Sequence, residues 1–121
     1  MQDNNTDDTS KKRYFVFRLI PPRPTFAEDM TEGERDIMTQ HAAYWTDKAD
    51  KGIAIVFGPV FDPKGVYGLA VIEVENEDQA RTLAAKDPAV ESGLQRLEIY
   101  PMRATCANRS SGSGHFGCGS P

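Results

Sequence analysis

Two of the chain's apolar runs leave no polar side when they are read as strands. In YFVFRLI, residues 14–20, Phe15, Phe17 and Leu19 fall on one side and Tyr14, Val16 and Ile20 on the other. In YGLAVIEV, residues 67–74, Leu69 and Val71 oppose Ala70, Ile72 and Val74. Side chains alternate across a strand, so a sheet built from these runs must be covered on both faces. Helices of the same chain can cover one. The other face calls for a second copy of the sheet, or else for a tail or loop folded over it.

Two further runs have strand character, Ile53 to Val60 and Leu94 to Met102. The second and third runs are joined by Phe61-Asp62-Pro63-Lys64-Gly65-Val66, where Pro63 presets φ and Gly65 tolerates positive φ, so a hairpin is predicted. Thr31 followed by Glu34 forms a capping box that opens a helix running to about Lys51, with Gly52 as its stop and Ile37, Met38, Ala42, Trp45 and Ala49 as its apolar stripe. Asn76 and Gln79 open a second helix that carries Ala80, Leu83 and Ala84 inward and ends by Asp87-Pro88. A half-helix, Pro88 to Ser92, leads through Gly93 into the last strand. The order β-α-β-β-α-β predicts a ferredoxin-like α+β domain: a four-stranded antiparallel sheet with both helices on one face, pairing through the other as a dimeric α+β barrel.

The domain is expected over residues 13–104, between a polar N-terminal tail (1–12) and a Gly/Ser-rich C-terminal tail (105–121). The chain carries 14 basic and 18 acidic residues with no basic stripe, which argues against nucleic acid as a partner. No apolar run reaches the roughly 18 residues that span a bilayer, and the acidic opening is unlike a signal peptide, so a cytoplasmic, membrane-free location is expected. Cys106 and Cys118 read as free thiols in a reducing compartment. The H-x-x-C of His115 and Cys118 lacks a second ligand pair, so no metal and no cofactor is expected.

His41 is the only histidine inside the domain, four residues after Ile37, three after Met38 and four before Trp45, which puts it on the stripe facing the sheet. Asp87 follows Leu83 by four and Ala84 by three, where the second helix calls for an apolar residue. On position alone His41 reads more readily as a satisfied core histidine than as a catalytic one, and Asp87 equally well as a helix breaker before Pro88 or as a functional group. Together they gain weight, because each lies about 15 to 17 Å along its helix at roughly 1.5 Å per residue. A carboxylate there can fix the imidazole tautomer and leave the second ring nitrogen to move a proton. No nucleophile triad or phosphate loop accompanies them. Tyr44 and Trp45, one turn from His41, and Arg18 and Arg23 around the loop Pro21-Pro22-Arg23-Pro24-Thr25-Phe26 are the candidate substrate-binding residues, with the arginines suited to an anionic or polar group.

His41 on its helix, Gly58-Pro59 closing the second strand, Gly68 at the start of the third, and Asp87-Pro88 followed by Gly93 together resemble the YciI-related family over about residues 13–104. The resemblance implies a ferredoxin-like fold, a dimer, and a cleft whose proposed histidine and aspartate pair maps onto His41 and Asp87, with Gly58 and Pro59 as further candidate substrate-binding residues. It also implies proton-transfer chemistry: one relative is a dehydrochlorinase of a chlorinated, hydroxylated aromatic, and the muconolactone isomerase type of barrel is related. The Pro-rich stretch RPTFAEDMT before the first helix departs from the family pattern.

The expectation is therefore a small cofactor-free enzyme using His41 and Asp87 for general acid-base chemistry, of a lyase, isomerase or dehydrochlorinase kind, on a small polar or aromatic molecule. The alternative is a non-catalytic dimeric ligand-binding or accessory module in which the same pair is a structural hydrogen bond.

Overall fold

The computed structural model describes residues 12–107. In chain order the elements are β1 (Arg13–Ile20), α1 (Phe26–Asp29), α2 (Glu32–Asp50), β2 (Ala54–Val60), β3 (Tyr67–Val74), α3 (Glu77–Ala85), α4 (Pro88–Glu91) and β4 (Arg96–Met102). The expected tails lie almost wholly outside the described residues, as do His115 and Cys118.

Local chemistry sets the helix starts. Thr31 Oγ1 accepts from the Glu34 N–H at 3.1 Å and Glu34 Oε1 accepts from the Thr31 N–H at 2.9 Å, completing the capping box of α2. Asn76 Oδ1 accepts from the Gln79 N–H at 2.8 Å, but the Gln79 side chain reaches one residue further back than predicted, accepting from the Glu75 N–H at 2.9 Å. Two strands begin slightly later than their apolar runs. The Ile53 N–H is drawn to Lys48 O (2.9 Å) to close α2, leaving only its carbonyl to accept from the Glu73 N–H of the neighbouring strand (2.8 Å). The Gln95 N–H is drawn to Ala89 O (2.9 Å) beside α4, so neither N–H joins the ladder.

The four strands form one antiparallel sheet in the order β2-β3-β1-β4, the ferredoxin-like arrangement with β1 and β3 central. The β2–β3 turn forms as predicted: Gly65 takes φ 145° and its N–H donates to Asp62 O at 2.9 Å. A Cβ at Gly65 would meet the Pro24 backbone at 3.3 Å, so the hairpin tip also needs glycine to lie against the Pro-rich loop.

One sheet face carries the core. Phe15, Phe17 and Leu19 of β1 and Ala70, Ile72 and Val74 of β3 are buried with Trp45, Ala80 and Ala84 from the helices. Alanines on α3 let that helix approach closely, while Trp45 fills the space under α2, edge-on to Phe17 with ring centroids 5.7 Å apart. The predicted stripe of α2 needs correction. Ala42 and Ala49 are exposed, and the inward line runs through His41, Tyr44, Trp45 and Lys48, because α2 leans toward β2 and α4 rather than lying flat on the sheet.

The opposite face pairs Val16 with Val71 and Tyr100, and Arg18 with Leu69 and Glu98. Val56, Tyr100 and Met102 on this face are large apolar side chains in contact with solvent. It is less uniformly apolar than predicted: Arg18 pairs with Glu98 at 3.2 Å and the Tyr14 hydroxyl donates to Glu73 at 3.0 Å. Among the described residues no helix is long and apolar enough to cross a membrane. Cys106 is disulfide-bonded, which corrects its reading as a free thiol and removes that support for a reducing compartment.

Candidate active site

Asp87 precedes a proline, which holds it in extended backbone (φ −64°, ψ 125°), and it serves as N-cap of α4 with Pro88 at the first helical position. Helix α3 has already ended at Ala85. The aspartate is thus no member of α3's inward stripe, as the helical spacing suggested, but the first residue of the next turn. Its cap geometry directs the carboxylate inward, where it is fully buried.

Three nitrogens surround that carboxylate. The Ala89 N–H donates to Oδ1 at 2.9 Å and the Trp45 indole N–H to Oδ2 at 2.7 Å. His41 Nδ1 lies 3.0 Å from Oδ1 and 2.9 Å from Oδ2. The backbone and indole groups can only donate, so both oxygens act as acceptors and the imidazole presents Nδ1–H to them. Without these donors a buried carboxylate would be strongly disfavoured; with them its charge is met on both oxygens. His41 Nε2 has no hydrogen bond among the described residues and is the nitrogen left for other work.

The His41 side chain is 12% exposed and lines a cavity of about 350 Å³ between α2, the Pro-rich segment and the β2–β3 hairpin. Phe26, Met38, Trp45, Phe57, Leu69 and Gln95 contribute to its wall, and Gly58 and Pro59 stand in it too. The volume falls in the range of small-molecule pockets, roughly 300 to 1,000 Å³. Helix α1, in a stretch whose prolines predict a loop, seats Phe26: the ring is buried, 3% exposed, and closes one side of the cavity.

Other candidates sit elsewhere. Tyr44 is absent from the cavity wall; it packs edge-on against Trp45 at 5.4 Å between centroids and its hydroxyl donates to Leu83 O at 2.6 Å. Burial, followed by the charges of Asp87 and Asp47, pushes its phenol up to about 12. Arg18 and Arg23 line a separate cleft and are already engaged. Arg18 pairs with Glu98 and covers the Tyr67 ring at 4.4 Å. Arg23 holds Asp29 at 2.8 Å and Glu34 at 2.7 Å. Gln95, not singled out in the sequence, is 7% exposed, and its Oε1 is buried without a hydrogen bond among the described residues. Among those residues no group of three or more metal-donor side chains comes together.

A ferredoxin-like sheet carrying a half-buried, carboxylate-oriented histidine over an apolar cavity defines a small α+β domain built around one polar pair. The YCII-related domain family matches residues 14–103, and the chain belongs to that family. In structure it is similar to the 5-chloro-2-hydroxyhydroquinone dehydrochlorinase of Burkholderia phenoliruptrix AC1100, solved in complex with 2,5-dihydroxybenzoquinone: TM-score 0.57, 18% identity, covering 74% of this chain and 93% of that one. It also matches the uncharacterized protein TM1266 from Thermotoga maritima at TM-score 0.49 and 10% identity, covering 77% and 100%. No curated protein matches the chain by sequence.

Proposed function

We propose that this protein is a small enzyme in which His41 moves a proton on a small molecule held in the cavity, with Asp87 as its positioning partner. The observation that carries the reading is the contact of Nδ1 with both Asp87 oxygens at 2.9 and 3.0 Å, which leaves Nε2 unengaged among the described residues on a ring that lines the cavity and so supports it as the reacting nitrogen. Asp87 keeps the imidazole in one tautomer and orientation, and its negative charge faces the ring when Nε2 takes up a proton. The apolar wall keeps bulk water from competing for that proton. The structurally similar dehydrochlorinase is consistent with lyase-like or isomerase-like proton transfer, in which a base removes a proton next to a departing or migrating group.

The same atoms support a second reading, because Asp87 also caps α4 and accepts from Trp45. A purely structural pair would make this a ligand-binding module. Turnover of a panel of hydroxylated aromatics and lactones by the wild-type protein and His41→Ala, run beside melting curves, separates the two. Catalysis predicts a loss of about 10²- to 10⁴-fold in rate in a variant that stays folded. Undiminished turnover by His41→Ala on every substrate the wild type accepts would sink the catalytic role.

The open sheet face, with Val16, Val56, Val71 and Tyr100 accessible, is proposed to pair with its copy in a homodimer. Light scattering at micromolar concentration should give twice the chain mass of 13.4 kDa; a species of 13.4 kDa alone would overturn the pairing.

A further inference from the structure

We propose that Gln95 is a polar contact of the cavity beside His41, and that the ligand is an uncharged, largely apolar molecule carrying a hydroxyl or similar group that hydrogen-bonds the Gln95 amide. This rests on the reading of the His41 cavity as the working site.

Gln95 is more than nine-tenths buried, and its Oε1 has no partner among the described residues. An amide left this way is a penalty that methionine or leucine would avoid, and native interiors rarely carry one without use. Its position is well fixed. The Gln95 N–H donates to Ala89 O at 2.9 Å, and the Ala89 N–H in turn donates to Asp87 Oδ1 at 2.9 Å. One turn of backbone therefore holds both Gln95 and the aspartate that orients His41. Gln95 is among the residues that line the cavity His41 lines.

The rest of the wall gives the ligand's character. None of the lining residues among those described is Lys, Arg, Asp or Glu. With His41 neutral, as a proton acceptor must be, a charged group would enter without a counter-ion, at a large desolvation penalty. Phe26, Trp45 and Phe57 offer aromatic surface instead. The anionic ligand suggested by Arg18 and Arg23 does not suit this wall, since both arginines lie outside it.

The test compares phenol and toluene, which share a ring and nearly a volume and differ by a hydroxyl for a methyl. Affinities of the full-length wild-type protein and of Gln95→Met are measured by titration calorimetry or by chemical-shift titration. The methionine preserves side-chain length and removes the hydrogen bond, and it should melt at or above the wild-type temperature. The ratio of phenol to toluene affinity should fall roughly tenfold in Gln95→Met. An unchanged ratio overturns the assignment of Gln95 and leaves the cavity standing. Failure of the wild type to bind either probe overturns the cavity as a site, and the assignment with it.

Discussion

Two carboxylate clusters meet helix α2, one at its start and one under its middle, and they differ mainly in water. At its start Arg23 grips Glu34 and Asp29, with side chains 33%, 19% and 51% exposed. Under its middle His41 and Trp45 meet Asp87, whose side chain is fully buried. The surface partners stand 6 and 11 residues from Arg23, so the chain brings them together almost for nothing. The buried partners stand 42 and 46 residues from Asp87 and meet only when the whole fold is in place. Solvent replaces any partner lost from the first cluster, whereas nothing replaces a partner lost from the second.

The largest effect should come from Asp87→Ala. It strands the His41, Trp45 and Ala89 donors in the interior and should cost about 3 to 5 kcal/mol, against a total stability of about 5 to 15 kcal/mol for a domain of this kind. Urea denaturation followed by circular dichroism measures it. A loss below about 1 kcal/mol would mean that Asp87 is no hub and that the contrast between the clusters is false. Asp87→Asn, which keeps one acceptor oxygen, should fall between the two proteins.

The same contrast explains what the sequence made legible. Features settled within a few residues could be read directly: the Thr31–Glu34 box, the Asn76 cap, the Gly65 turn and the two-sided apolar strands. His41 fell on the correct helix face because helical spacing is local. Asp87 reached the pair by another route than expected, since its proline-preceding cap, and not the periodicity of α3, turns it inward. Helix α1 is four residues long and leaves no periodic trace. The partners of Arg18 and Arg23 depend on strand register and loop docking, which single residues do not announce. Gln95 sits in an apolar run like any strand residue, and its burial comes from α4 folding back over it.

A middle-sized effect should come from Tyr44, which belongs to the buried cluster by packing. Its phenol is raised from the ordinary 10.0 to about 12, so the folded protein holds that proton more tightly than the unfolded chain. The stability this supplies is whole below pH 10 and drains away as the pH rises from 10 to about 12. Tyr44→Phe removes the hydrogen bond to Leu83 O and should cost about 1 kcal/mol at neutral pH. The gap between wild type and variant should then narrow through the alkaline window. A gap that stays constant from pH 8 to pH 12 would detach Tyr44 from the buried cluster.

The smallest effect is expected at Glu34, and its sign is opposite. Arg23 first, and then the Thr31 N–H, hold the Glu34 carboxyl down from 4.5 to about 2. A depressed acid supports the fold while ionised, so its contribution is present above pH 4.5 and is lost as the pH falls toward 2. Glu34→Gln keeps much of the capping geometry but gives up the charge on both guanidinium contacts, at 2.7 and 3.0 Å. Its melting temperature should lie slightly below wild type at neutral pH and converge with it near pH 2. Added salt should shrink the neutral-pH difference, because this cluster is open to screening, while leaving the Asp87→Ala difference nearly unchanged. If salt weakened both differences alike, the two clusters would share one dielectric environment, and burial could no longer be what separates the Asp87 cluster from the one that holds a helix end.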